Sequence, residues 1–113
     1  MEPAKVVEAL GALAQDHRLA AFRQLVQAGK DGMPAGAIAA ALGIPNSSLS
    51  FHLAQLRSAG LIEQERQHRS LIYRANYPAM NALVGYLTEN CCAGEGCEAQ
   101  TASPPVIRER KSA

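Results

Sequence analysis

NSSLSFHLAQLRSAGLIEQERQHRSLIYRA, residues 46 to 75, is the stretch on which the architecture turns. Leu49, Leu53 and Leu56 fall within about 60 degrees of arc at ~100 degrees per residue, which predicts a helix from Ser47 to Ala59 with one apolar face. Asn46 is its expected N-cap and Gly60 its stop. Leu61 to Arg66 and Ser70 to Ala75 then carry Leu61, Ile62, Leu71, Ile72 and Tyr73 in two short segments joined by Gln67-His68-Arg69, and they predict a β-hairpin. Upstream, Ala35 to Leu42 form a short Ala-rich helix that Gly43 ends. Only Ile44-Pro45-Asn46 separates it from the Leu49 helix, a very tight connection.

Further out, Val6, Val7, Leu10, Leu13 and Ala14 recur behind Pro3 at spacings of three and four, predicting a first helix from about Pro3 to Ala14. Asp16 suits the N-cap of a second helix whose stripe is Leu19, Phe22, Leu25 and Val26, ending near Gly29. Lys30 to Pro34 read as a turn. Pro78 opens a last helix on which Met80, Leu83, Val84 and Leu87 share a stripe, with Cys91 four residues further along it. From residue 99 to residue 113 a Pro pair and the lack of periodicity predict a flexible tail. The expected fold is therefore mainly α with a β-hairpin wing, a winged helix-turn-helix, and the apolar stripes of its first and last helices are left over for a homodimer. Residues 1–92 form the expected DNA-binding and dimerisation domain, and residues 91–97 a thiolate-bearing segment.

The chain has 113 residues and a mass of 12.0 kDa, room for one compact domain. Eleven Lys and Arg oppose ten Asp and Glu, leaving +1, so bulk charge points to no polyanionic partner. Position corrects that impression. Residues 46 to 77 hold Arg57, Arg66, Arg69 and Arg74 against Glu63 and Glu65, and this excess is doubled in a dimer. Met33 to Pro45, the longest weakly polar run, is broken by Pro34, Gly36 and Gly43 and falls short of the ~20 residues of a membrane helix. The N-terminus, with Glu2 and charges inside its apolar stretch, is unlike a signal peptide, so a cytoplasmic location is expected. Three cysteines at 91, 92 and 97 are too few and too crowded for a disulfide framework and are expected to be reduced thiols.

With the leucine stripe facing inward, the opposite face of the residue 47–59 helix presents Ser47, Phe51, Ala54, Gln55 and Ser58, flanked by Ser48 and Ser50. Small hydroxyls, an amide and no acid suit a major groove. Gln pairs with adenine, Ser bonds bases or phosphates, and an outward Phe51 meets a thymine methyl. Asn46 at the helix start, Arg57, and Arg66, His68 and Arg69 on the wing complete the expected DNA contacts, the arginines gripping phosphate without reading sequence. His52 sits at the inside edge, either packed or touching phosphate. The bland alternative is an ordinary solvated helix face.

The run Ser48 to Ala75, SLSFHLAQLRSAGLIEQERQHRSLIYRA, resembles the recognition helix and wing of the ArsR/SmtB family of bacterial metal-responsive repressors. AQDHRLAAFRQLV, Ala14 to Val26, is similar to that family's second helix. The resemblance covers roughly Val6 to Cys92. It implies a homodimer on a palindromic double-stranded DNA operator, released when metal or metalloid binds, and it implies no enzymatic activity. One departure is the wing, where Gln67-His68-Arg69 lacks the family's frequent glycine.

The family's ligand positions narrow the inducer. A Cys-x-Cys pair at the start of the first helix of the helix-turn-helix is missing from Met33 to Ile38. The His and carboxylate ligands of its zinc sensors are missing from Pro78 to Asn90, which holds only Glu89. Cys91, Cys92 and Cys97 instead resemble the C-terminal three-cysteine site of an arsenite-responsive subgroup. Soft thiolates select thiophilic ions, and three without a fourth ligand suit pyramidal As(III) or Sb(III) better than tetrahedral zinc. Successive helical residues point ~100 degrees apart, so Cys91 and Cys92 face one ion only if the helix end unwinds. Gly94 and Gly96 make the link to Cys97 pliable. Other readings stay open: Cys91 as a continuation of the core, an adjacent-cysteine disulfide, a redox switch involving Cys97, structural zinc borrowing Glu95 or a thiolate across the dimer, or Bi(III), Cd(II) and Pb(II) as inducers. A small thiol reductase lacks any supporting framework, and His17, His52 and His68 are scattered, so no catalytic residue or catalytic cofactor is expected.

Overall fold

The computed structural model describes residues 1–94. Glu95, Cys97 and the expected tail lie outside the described residues. The order is α1 (Pro3–Leu13), α2 (Asp16–Ala28), a one-turn 3-10 helix (Gly29–Asp31), β1 (Met33–Pro34), α3 (Ala35–Leu42), α4 (Asn46–Ser58), β2 (Ile62–Gln67), β3 (Ser70–Ala75), α5 (Tyr77–Leu87) and a 3-10 turn (Cys91–Gly94). This is the expected winged helix-turn-helix, and the leucine stripe lies where its spacing requires: Leu49, Leu53 and Leu56 are all buried. They meet Phe22 and Leu25 of α2, Ile38 of α3 and Leu61 ahead of the wing in one core.

Helix starts differ from expectation by one residue. Gln15, not Asp16, caps α2, its side-chain oxygen accepting from the Arg18 backbone N–H at 2.9 Å. Asp16 is already helical, where its charge faces the positive helix end. Pro45, not Asn46, precedes α4, and its carbonyl accepts the first ladder bond from Leu49 N at 3.1 Å. With φ locked near that of the observed −65° and ψ at 151°, Pro45 delivers an extended residue followed at once by helix, so Asn46 takes the first helical position.

The turn expected over Lys30 to Pro34 contains a strand. Met33 and Pro34 pair with Tyr73 and Ile72, so the wing is a three-stranded antiparallel sheet in the order β1-β3-β2. A two-residue strand containing proline leaves no alternation to read in sequence. The wing loop is also shorter than expected. Gln67 pairs with Ser70, leaving His68 and Arg69 as a two-residue turn in which His68 takes the left-handed φ of 57° that glycine would usually supply.

The apolar stripes divide. On α1 the chain's own core takes Val6, Ala9 and Ala12, while Val7 and Leu10 are exposed. On α5 Leu83 is buried, and Val84 and Leu87 are exposed. Leu19, expected in the α2 stripe, is exposed too, because it stands about 60 degrees further round than Phe22 and past the edge of the buried face. Cys91 does not continue the α5 stripe. The helix ends at Leu87, where the Thr88 hydroxyl donates to the Val84 carbonyl at 2.9 Å and Asn90 turns to φ 57°.

Candidate nucleic-acid interface

The candidate face rests on α3 and α4. Gly43 ends α3 with its N–H returned to the Ala39 carbonyl at 2.8 Å, and Ile44-Pro45 swings directly into α4. With the leucines inward, Asn46, Ser47, Ser48, Ser50, Phe51, Ala54, Gln55, Arg57 and Ser58 are all exposed. Phe51 is 59% exposed, an aromatic ring with no core to fill, on the side of the helix that the leucine stripe does not use.

His52 differs from its neighbours. It is half-buried, with its ring 5.6 Å from that of His17 on α2 and 5.8 Å from that of Phe51. Its Nδ1 is buried without a hydrogen-bond partner. Burial, and then the nearby Arg18 and His17, push its pKa below the ordinary histidine value. The structure thus puts His52 in a packed position between α4 and α2, apart from the outward serines and Gln55.

On the wing, Arg66, His68 and Arg69 are exposed at the far end of the hairpin. Arg74 is not part of that set, although segment charge alone groups them. Its Nη1 meets Glu65 Oε1 at 2.6 Å, and its Nε donates to the Lys30 carbonyl at 2.6 Å. On α4 and the wing, the arginines outside any ion pair among the described residues are Arg57, Arg66 and Arg69. Asn76 fastens the other end of the sheet: its backbone N–H donates to the Leu61 carbonyl, its amide to the Gly60 carbonyl, and its side-chain oxygen caps α5 through Ala79 N. Tyr77 OH donates to the Val26 carbonyl at 2.9 Å, tying α5 to α2. None of these anchors follows from periodicity. An Asn immediately before Tyr-Pro was the one readable signal, as a helix cap.

The cysteines follow α5. Cys91 is half-buried and disulfide-bonded, which departs from the reduced thiol expected of it, and Cys92 is exposed. Asn90, Cys92 and Ala93 have φ of 57°, 59° and 57°, so the backbone has left the helix before the thiols are reached. Among the described residues no three His, Cys, Asp or Glu side chains converge as a metal site, and Cys97 lies outside those residues.

Comparison with known proteins places this geometry. A helix-turn-helix domain family matches residues 13–65. Nodulation protein NolR of Rhizobium meliloti is 33% identical over 104 residues, aligning 92% of this chain with 79% of that protein. The homodimeric winged helix-turn-helix DNA-binding domain of Mb0332 from Mycobacterium bovis, a possible ArsR-family regulator, superposes with a TM-score of 0.61 at 28% identity, covering 81% of this chain and 85% of that one. This chain belongs to the ArsR-type winged-helix transcriptional regulators. The transcriptional repressor BigR from Xylella fastidiosa is a further structural relative, with a TM-score of 0.60 at 28% identity over 79% of this chain and 88% of that one. Membership makes the chain a DNA-binding regulator of the helix-turn-helix type. No helix among the described residues is long and apolar enough to cross a membrane.

Proposed function

We propose that the chain is a homodimeric transcriptional repressor that holds a palindromic operator until As(III) or Sb(III) binds Cys91, Cys92 and Cys97. A second copy is the natural cover for Val7 and Leu10 of α1 and for Val84 and Leu87 of α5, which are large, apolar and exposed. Two α4 helices about 34 to 36 Å apart then enter successive major grooves. Ser47, Ser48, Ser50, Phe51 and Gln55 read bases, with Asn46 at the helix start, while Arg57, Arg66, His68 and Arg69 hold phosphate.

The observation that carries the inducer assignment is the left-handed backbone at Asn90, Cys92 and Ala93. Adjacent thiols cannot face one ion from a regular helix, and here the helix has ended. Once a thiol reductant has opened the Cys91 disulfide, the three thiols fit a pyramidal thiophilic centre: three arsenic–oxygen bonds of arsenous acid exchange for three arsenic–sulfur bonds, releasing three waters with no change of oxidation state at arsenic. Because the segment follows the exposed α5 face, a change there acts on the dimer and so on the separation of the reading helices. A coupling of roughly 3 kcal/mol lowers DNA affinity ~150-fold. The disulfide at Cys91 favours a second reading, in which thiol oxidation is the signal on the same fold.

The test selects an operator from random duplexes and titrates arsenite onto the complex in reducing buffer. Release near one equivalent per subunit, lost in Cys91→Ser and Cys92→Ser, is expected. Unchanged DNA affinity overturns metalloid sensing. Release by peroxide and restoration by dithiothreitol, with arsenite inert, selects the redox reading.

A further inference from the structure

We infer that Arg74 is a positioning residue for DNA binding, clamping the wing to the α2–α3 connection so that the basic tip meets the phosphate backbone. This rests on the wing touching DNA and is independent of the inducer. A hairpin on its own orients poorly, and β1 adds little to hold it: it has two residues, one of them a proline with no N–H to give the ladder. Ile62, Tyr73 and Ala75 in the core and Asn76 beyond them hold the base of the sheet, and the Arg74 guanidinium adds the side-chain tie that sets the angle above that base. It spans two chain segments, reaching the Lys30 carbonyl before β1 and Glu65 on β2, both at 2.6 Å. Gly32 lets the two come together. A Cβ there would fall well inside 3.0 Å of the Tyr73 carbonyl oxygen and 2.8 Å from Arg74 Cγ.

The clamp sits at one end of a lever. From Arg74 to Ser70 is about 13 Å of strand, so a tilt of about 15° moves the tip about 3.5 Å, enough to lose a phosphate contact. Arg69 and His68 lie at that tip. The side chain of Arg74 is 23% exposed and that of Glu65 55% exposed, and an ion pair so open to solvent adds little to global stability. The clamp's effect therefore falls on orientation.

Direct phosphate contact by Arg74 is the competing role, and Arg74→Lys separates the two. A lysine keeps the charge, but its single ammonium cannot reproduce the fork that spans Lys30 and Glu65. Operator affinity of wild type, Arg74→Lys, Arg69→Ala and the double variant is measured by fluorescence anisotropy from 50 to 300 mM salt, with thermal midpoints recorded alongside. We expect Arg74→Lys to lose about tenfold in affinity with a midpoint near wild type, and Arg69→Ala to cost less than half as much, in logarithmic terms, on the Arg74→Lys background. Near-wild-type affinity in Arg74→Lys, or full additivity with Arg69→Ala, overturns positioning. Arg74→Gln is the second variant should Arg74→Lys lower the midpoint sharply; wild-type affinity and an unchanged Arg69→Ala effect in it overturn the proposal equally.

Discussion

Gly32→Ala and Gly29→Ala form a matched pair that isolates one contact. Both glycines hold nearly the same backbone, φ 69° and ψ −166° at Gly32 and φ 77° and ψ −160° at Gly29, a region open to essentially no other residue. Forcing alanine into it costs about 1–3 kcal/mol at either site. The surroundings differ. Around Gly29 nothing lies within 4 Å of an added Cβ, whereas at Gly32 the Cβ would press on the Tyr73 carbonyl, on Arg74 Cγ at 2.8 Å and on Ile72 Cγ2 at 2.9 Å. The first of these is backbone in the β1–β3 pairing and cannot yield without opening the sheet. Overpacking of this kind adds about 1–3 kcal/mol. Gly32→Ala should thus exceed Gly29→Ala by that amount, a further fall in midpoint of roughly 5–20 °C for a domain of this size. Thermal unfolding followed by circular dichroism, at matched protein concentration because a dimer's midpoint depends on it, measures the difference. Equal losses in the two variants would refute the close approach of the α2–α3 connection to β3.

Arg69→Ala should weaken binding to all duplexes alike and lower the salt slope by about one per protomer, whereas Gln55→Ala and Phe51→Ala should change base preference in a selection experiment. Leu87→Asp puts a charge on the exposed α5 face and should convert the dimer to monomer in light scattering while leaving the circular dichroism spectrum helical. For pH, the folded chain holds His52 below its ordinary value, so the unfolded chain binds the extra proton first as pH falls. Stability should therefore decline as pH drops below about 6.5 and remain level above it, and His52→Gln should decline less in urea titrations at each pH; an identical decline would assign the effect to another group.

Helix α4 and strands β2 and β3 were legible because burial imposes a period on the chain: three leucines at helical spacing, then short β-rich runs beside a glycine. The same argument read the outward face of α4 correctly, since whatever the leucines do not use must meet solvent or DNA. It failed where a position is set by a partner distant in sequence. Leu19 and Leu25 are the same residue type on one helix, yet only Leu25 meets the core. Arg74 belongs with Arg66 and Arg69 by charge, and the fold commits it to Glu65 and Lys30 instead.

Periodicity and stop residues, acting through local backbone preference and the need to bury apolar faces, were enough to specify a winged helix-turn-helix and the polar outward face of α4. They also put three cysteines, at 91, 92 and 97, after the last helix in the sequence. Packing between distant segments decided the rest. It paired Met33 and Pro34 with β3, turned His52 inward against His17, ended α5 before Cys91, and used one arginine as a clamp. These choices depend on which surfaces meet in space, and no local stretch of sequence encodes that meeting by itself.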